Sequence, residues 1–234
     1  MLLFIALANI PFWLTTTRSS APGDAVDTAW LWLRTLLVDH RAYPLFALLF
    51  GFGLATMVNR RIASGTGAYL ESLPGMETGR EPTAQEMAWA REQATVDARR
   101  LVRRRGLWMI LFGAAHALLF SGDIIGTYGL VAVVFAGWVT RKHWKRAMAV
   151  SIIITIGVIT TMYTMGSVVA AQGLDAAAAV QPEVIGSTTL MSQAISGVTS
   201  WVGNTAATLI FSMVVPATFL GARLADTDLI THPE

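Results

Sequence analysis

The sequence contains no cysteine and few charged residues, and each shortage excludes a class of protein. Without cysteine the chain forms no disulfide, no thiolate metal site and no cysteine nucleophile. Only 14% of its residues are charged, fewer than a soluble domain normally displays. The histidines form no HExxH or HxH pair, so no metal site is predicted; they are His40, His116, His143 and His232.

Long apolar runs take the place of those residues. Hydrophobic side chains make up 54% of the chain and its mean hydropathy is +0.54, which predicts a membrane protein. Uncharged windows long enough to cross about 30 Å of hydrocarbon as helices lie at Ala42 to Val58, Ala147 to Ala171 and Trp201 to Ala222. A shorter apolar run, Met1 to Leu14, predicts a clipped first span.

The segment from Gly106 to Thr140 predicts a short helical hairpin. Basic clusters flank it at both ends, Arg103 to Arg105 before it and Arg141-Lys142 after it. Such clusters lie on one side of a membrane only if the segment between them crosses twice, with its turn at Ser121-Gly122-Asp123. The predicted fold is therefore all-α: a polytopic helical membrane protein with about six transmembrane helices and this hairpin at its centre.

The distribution of basic residues predicts the orientation. With both termini inside, 14 of the 17 lysines and arginines lie in the cytoplasm, and only Arg18, Arg34 and Arg41 lie outside. The outer loops are then Thr15 to Arg41, the turn at Ser121 to Asp123, and Gln172 to Ser200.

This orientation divides the chain into four parts. Residues 1–58 hold the clipped first span, an outer loop and the second span; 59–105 are cytoplasmic; 106–222 form a four-span bundle; and 223–234 are a cytoplasmic tail. The cytoplasmic part begins with a glycine-rich linker and continues as a helix opened by a capping box at Thr83 to Glu86. Five arginines of that helix are predicted to face anionic lipid headgroups, in preference to nucleic acid: Arg99, Arg100, Arg103, Arg104 and Arg105.

Two motifs suggest a family. One is LFALLFGFG at Leu45 to Gly53; the other runs from Arg104-Arg105 through Gly113, His116, Gly122-Asp123-Ile124-Ile125 and Tyr128. Together they resemble the YeiB-like family of bacterial inner-membrane proteins, a distant branch of the transmembrane acyltransferase superfamily. The resemblance covers roughly Met1 to Trp138. It implies a bacterial inner-membrane location and acyl transfer from a cytoplasmic donor such as acyl-CoA to an extracytoplasmic acceptor. The chain opens within the first span and stops before further helices of the family, which predicts a fragment or a reduced homologue.

His116 and Asp123 are the candidate catalytic residues, because ionisable side chains at membrane depth are costly. In the functional interpretation His116 takes a proton from an incoming hydroxyl or amine, and Asp123 orients the imidazole or holds the imidazolium. In the structural interpretation Asp123 caps the helix that begins at Ile124, and His116 forms a hydrogen bond across a helix interface.

Three more residues are candidate substrate contacts, each with a structural alternative. Asn9 either lines a cavity around His116 and Asp123 or joins two helices by a hydrogen bond. Arg41 either holds an anionic acceptor or anchors its helix at the interface. Tyr128 either donates a proton or packs. Pro216 is expected to kink the last span.

Two further functions stay open beside acyl transfer. The basic cytoplasmic helix and the shortened ends suit a non-catalytic partner or accessory subunit of a larger complex, or a homo-oligomer. Transport would use the same two ionisable groups to relay protons, but the sequence shows no inverted repeat.

Overall fold

The described part of the protein is built from six helices. A computed structural model describes residues 42–76, 79–118, 122–172 and 190–227, together with Ala29. The helices within these ranges are α1 (Ala42–Glu71), α2 (Ala84–Ala117), α3 (Ile125–Thr140), α4 (Trp144–Gln172), α5 (Leu190–Phe211) and α6 (Val214–Leu224). The predicted all-α fold is confirmed.

Helix α1 is longer than the sequence predicts. The second span was predicted to end at Val58 and to be followed by a glycine-rich linker. In the structure α1 continues through this stretch to Glu71. Packing against α2 explains the difference. A Cβ on Gly65 would lie 3.1 Å from the Cβ of Ala94, and the Tyr69 hydroxyl donates to Oδ2 of Asp97 at 2.6 Å. Tertiary contacts of this kind override the low helix propensity of glycine.

The capping box at the start of α2 is confirmed. Thr83 Oγ1 accepts from the Glu86 N–H at 3.2 Å, and Glu86 Oε2 accepts from the Thr83 N–H at 2.8 Å. The guanidinium of Arg80 adds two hydrogen bonds to the same carboxylate, at 2.8 and 3.0 Å. From this start α2 runs unbroken to Ala117, about 51 Å at 1.5 Å per residue, and carries the arginines directly into the apolar segment.

Helices α2 and α3 form the predicted hairpin. They lie antiparallel and close, since a Cβ on Gly106 would come within 2.7 Å of the Gly129 carbonyl oxygen. Near the other end of the pair, Arg141 forms an ion pair with Glu92. Gly122 and Asp123 of the predicted turn are described, whereas Ser121 lies outside the described residues.

Helix α6 packs against α1 at very short range. A Cβ on Gly51 would lie 1.9 Å from the Thr218 carbonyl oxygen, and one on Gly221 would lie 1.8 Å from the Leu48 carbonyl oxygen. The apolar core lies between α1 and α6 and includes side chains of α2, α3 and α4 that pack against them. Its members include Ala47, Val58, Val102, Tyr128, Val131, Val215 and Phe219.

The final predicted span is a broken helix pair. It starts at Leu190, earlier than the predicted Trp201, so that the end of the expected Gln172 to Ser200 loop is helical. Helices α5 and α6 are bent by 60° at Ser212-Met213. Pro216 lies in the first turn of α6, where it has no N–H to donate to the carbonyl of Ser212, and this explains the predicted kink.

Two described helices are long and apolar enough to cross a membrane, α1 from Tyr43 and α4 to Val168, and a third is counted if α5 and α6 form one span. This number is lower than the six predicted. Helix α3 has 16 residues and reaches about 24 Å, short of the hydrocarbon thickness. Helix α2 combines its apolar half with a charged half. The predicted first span, Met1 to Leu14, lies outside the described residues.

The glycine contact between α1 and α6 yields a matched pair of variants. Gly51→Ala would place a methyl group against backbone atoms, and we expect it to lower stability by about 1–3 kcal/mol. Gly53→Ala, on the same helix, meets nothing within 4 Å and should be neutral or slightly stabilising. Thermal unfolding in detergent measures both. Equal melting temperatures for the two variants would contradict the packing described.

The stability of the first turn of α2 should depend on pH. The Arg80 hydrogen bonds, followed by the Thr83 N–H, lower the pKa of Glu86 from 4.5 to about 2. Because the folded pKa is lowered, the stabilisation is complete above pH 4.5 and is lost as pH falls through about 2. Backbone NMR shifts of residues 84–87 should show the first turn fraying over that window. The Glu86→Gln variant should show no such titration.

Candidate functional site

The two candidate catalytic residues are in direct contact. His116, one residue before the end of α2, places Nδ1 2.9 Å from Oδ1 of Asp123, which precedes α3. An ionised carboxylate only accepts hydrogen bonds, so this contact favours the tautomer in which Nδ1 carries the proton and Nε2 is the basic nitrogen. The Asp123 side chain is 1% exposed, whereas that of His116 is 46% exposed. The pair therefore joins a buried acid to an imidazole that remains accessible.

Asp123 also fills the structural role considered for it. Its Oδ2 accepts from the backbone N–H of Gly126 at 2.9 Å, which satisfies one of the free amides in the first turn of α3. The same oxygen accepts from Nε1 of Trp201, on α5, at 3.1 Å. The two interpretations of Asp123 are thus compatible: one oxygen caps the helix and receives the indole, and the other holds the imidazole.

Three hydrogen bonds make the buried carboxylate tolerable. An isolated carboxylate inside an apolar bundle would be strongly unfavourable, whereas hydrogen bonds from an imidazole, an amide and an indole replace its hydration. The donors come from α2, α3 and α5. The carboxylate consequently fixes how these three helices meet.

Glycines provide the space for this arrangement. A Cβ on Gly113 would lie 2.6 Å from Oδ2 of Asp123 and equally close to the Gly126 nitrogen. A Cβ on Gly126 would lie 2.3 Å from Cζ2 of Trp201. A Cβ on Gly197 of α5 would lie 2.6 Å from the carbonyl oxygen of Ala117. Any larger residue at these positions would push the donors away from the carboxylate.

Trp201 is the site residue that the sequence interpretation missed. As the first residue of the predicted span Trp201 to Ala222, next to the predicted outer loop, it would lie at the outer membrane interface, where tryptophan is common. The structure instead buries it to 6% exposure against Asp123. A signal was present in the sequence, since a buried tryptophan needs an acceptor for its N–H and Asp123 is the single acid between Gly106 and Thr140. Pairing the two still required the tertiary contact between α5 and α3.

Tyr128 lies one helical turn beyond Asp123 and is 1% exposed. Its ring packs between Phe46 and Phe50, with centroids 4.9 and 5.1 Å away, and its hydroxyl donates weakly to the Tyr43 carbonyl oxygen at 3.3 Å. Tyr128 therefore packs in the core, and its part in proton donation or substrate contact stays a prediction.

A cavity of about 460 Å³ has Ile124, the residue after Asp123, in its lining. Its wall on α3 is formed by Ile124, Thr127 and Tyr128, and the break between α5 and α6 closes it at Phe211 to Val214. His116 is not among its lining residues. Most of the lining is apolar, which suits a hydrocarbon chain better than a sugar.

The other two predicted contacts, Asn9 and Arg41, lie outside the described residues. Comparison of the chain with protein-family models, with curated proteins and with solved structures gave no match. The YeiB-like resemblance accordingly rests on its motifs alone.

The indole hydrogen bond can be tested by substitution. Trp201→Phe keeps an aromatic side chain, smaller than the indole, but removes the N–H. We expect a loss of about 1–3 kcal/mol because a buried carboxylate loses one donor. Trp108→Phe, at a side chain that is 55% exposed on α2, is the control and should change stability little. Thermal melting of both variants gives the comparison. A Trp201→Phe protein as stable as wild type would argue against this role.

Proposed function

We propose that the protein is a multi-pass helical protein of the bacterial inner membrane that transfers an acyl group from a cytoplasmic donor to an extracytoplasmic hydroxyl or amine. His116 serves as the general base. The observation that carries the proposal is the 2.9 Å contact between an accessible His116 and a buried Asp123 whose other oxygen is already held by two donors.

The proposed chemistry uses the imidazole twice. Nε2 of His116 takes the proton from the acceptor O–H or N–H as that atom attacks the carbonyl carbon of an acyl thioester. The bond from the acyl carbon to sulfur then breaks, and the departing thiolate receives the proton back from the imidazolium. Asp123 holds the ring in one tautomer and stabilises its charged form. This is the usual division of work between a base and the carboxylate that orients it.

The apolar cavity supports an acyl rather than a glycosyl donor. It starts at Ile124, the residue after Asp123, and extends along α3 to Tyr128. A hydrocarbon chain lying there would have its carboxyl end close to the outer ends of α2 and α3. Among donors of this kind, acyl-CoA is the one that the family resemblance implies.

The surface of α2 supports the membrane placement. Its second half exposes Leu107, Trp108, Leu111 and Phe112, all more than half exposed and spaced to lie on one face. The preceding turns carry Arg99, Arg100, Arg103, Arg104 and Arg105, at the level where anionic headgroups would meet them. On this arrangement, the proposal has His116 at the outer face and both termini in the cytoplasm.

One observation favours a non-catalytic partner as the second candidate. No residue in the apolar window of α4 is buried within the described protein, and Ile153 and Tyr163 are 68% and 77% exposed. Such a helix has a whole surface available for lipid or for another membrane protein. In that case the His116–Asp123 pair would serve only to join helices.

The two candidates differ in what a glutamine at position 116 does. His116→Gln keeps an N–H that can donate to Asp123 but removes the basic nitrogen. We therefore expect near wild-type stability with transfer reduced about 100-fold or more. His116→Ala removes the hydrogen bond to Asp123 as well as the basic nitrogen, so it should lower both stability and transfer. Purified protein in proteoliposomes, supplied with labelled acyl-CoA and sugar or amine acceptors, measures the transfer. Acyl transfer by His116→Gln at the wild-type rate would eliminate the base role.

A further inference from the structure

A second large cavity lies at the far end of α2 from His116. It is open to the surface, has a volume of about 1080 Å³, and is bordered by α1 from Asn59 onward, the first turns of α2, and the corner between α3 and α4. Arg91 and His116 are 25 residues apart on one continuous helix, which separates them by about 37 Å. A small ligand in this cavity cannot reach His116, so the two sites are independent.

The lining of this cavity is rich in cations. Three basic side chains border it, Arg91, Arg141 and Lys142, together with the imidazole of His143 and a single carboxylate, Glu92. Glu92 pairs with Arg141, and Lys142 donates to Oδ1 of Asp226 at 2.9 Å. Among the described residues, the guanidinium of Arg91 has no carboxylate partner. The cavity consequently has an excess of positive charge and a guanidinium available to a ligand.

Lys142 is held in position by an unusual backbone. Its φ is 53°, the left-handed region that residues other than glycine rarely adopt, and the chain there closes with the His143 N–H donating to Trp138 at 2.9 Å. Asp226 accepts from both Lys142 and Asn59, each at 2.9 Å. Burial acts to raise the pKa of Asp226, but these hydrogen bonds outweigh it and lower the pKa overall, so that the carboxylate stays charged and fixes the lysine.

We propose that this cavity binds a phosphate-bearing anion through Arg91, Arg141 and Lys142. Guanidinium groups bind phosphate through paired hydrogen bonds, and an ammonium group adds a point charge. The volume is sufficient for a nucleotide-sized molecule or for a lipid headgroup. Both sources present the same phosphate chemistry. The site is distinct from the arginines between Arg99 and Arg105, which do not line it.

Pyrophosphate is the probe for a soluble source. The full chain in phosphatidylcholine nanodiscs is titrated by calorimetry as wild type, Arg91→Gln, Arg141→Gln and Arg100→Gln. We expect binding by the wild type and a dissociation constant about tenfold or more higher for the first two variants. Arg100→Gln, on the same helix but outside the cavity, should bind like wild type.

Glu92→Gln gives a test in the opposite direction. Removing this carboxylate releases Arg141 and adds positive charge to the lining, so pyrophosphate should bind about two- to fivefold more tightly. Unchanged circular dichroism and gel-filtration profiles identify the variants that have kept their fold, and Glu92→Gln remains informative if Arg141→Gln does not fold.

A lipid source is distinguished by retention of phosphatidic acid, measured by native mass spectrometry after reconstitution with that lipid. The control for this probe is Arg60→Gln, an exposed position on α1 that does not line the cavity. Retention by wild type and Arg60→Gln but not by Arg91→Gln, without pyrophosphate binding, supports the site with a lipid headgroup as its ligand. Pyrophosphate binding with the same pattern of variants supports a soluble ligand. The proposal is overturned if neither probe binds, or if the control variant weakens binding as much as Arg91→Gln does: Arg100→Gln for pyrophosphate, Arg60→Gln for phosphatidic acid. None of these results depends on acyl transfer.

Discussion

The buried carboxylate of Asp123 is the constraint on which the meeting of α2, α3 and α5 depends. A charged group inside an apolar bundle requires donors in place of water, and here they are the imidazole of His116, the amide of Gly126 and the indole of Trp201. Each comes from a different helix, so satisfying one side chain fixes the meeting of α2, α3 and α5. The glycines at 113 and 126 follow from the same requirement, because a Cβ at either position would separate donor from acceptor.

The same geometry gives His116 its chemical character. Asp123 is fully occupied and buried, while the ring it holds is nearly half exposed. A ring fixed through Nδ1 presents Nε2 in one direction, which is what a general base requires and what a purely structural histidine does not need. The apolar cavity begins at Ile124, the residue after Asp123, so the proposed acyl chain lies against α3 while the proposed base stands at the end of α2.

At the opposite end of α2, charged and polar contacts take the place of apolar packing. There the helix is solvated and charged, its start is fixed by Thr83, Glu86 and Arg80, and α1 accompanies it as far as Glu71. Ion pairs join α2 to the corner after α3 and join that corner to Asp226. One long helix thus carries His116 at one end and borders the cationic cavity at the other. Its length keeps a ligand in that cavity out of reach of His116.

Hydrophobic pattern and capping chemistry are local, so the sequence by itself determined the all-α class, the hairpin, the start of α2 and the kink at Pro216. It put His116 and Asp123 on either side of a short turn but left open whether they pair, and the structure decided that. The extension of α1 through a glycine-rich stretch, the earlier start of α5 and the burial of Trp201 were decided only by the tertiary structure. Each depends on a partner far away in the chain: Ala94 and Asp97 for α1, and Asp123 for Trp201. Local propensity carries no information about which distant helix will supply such a partner, and close packing through glycine is what brings it within reach.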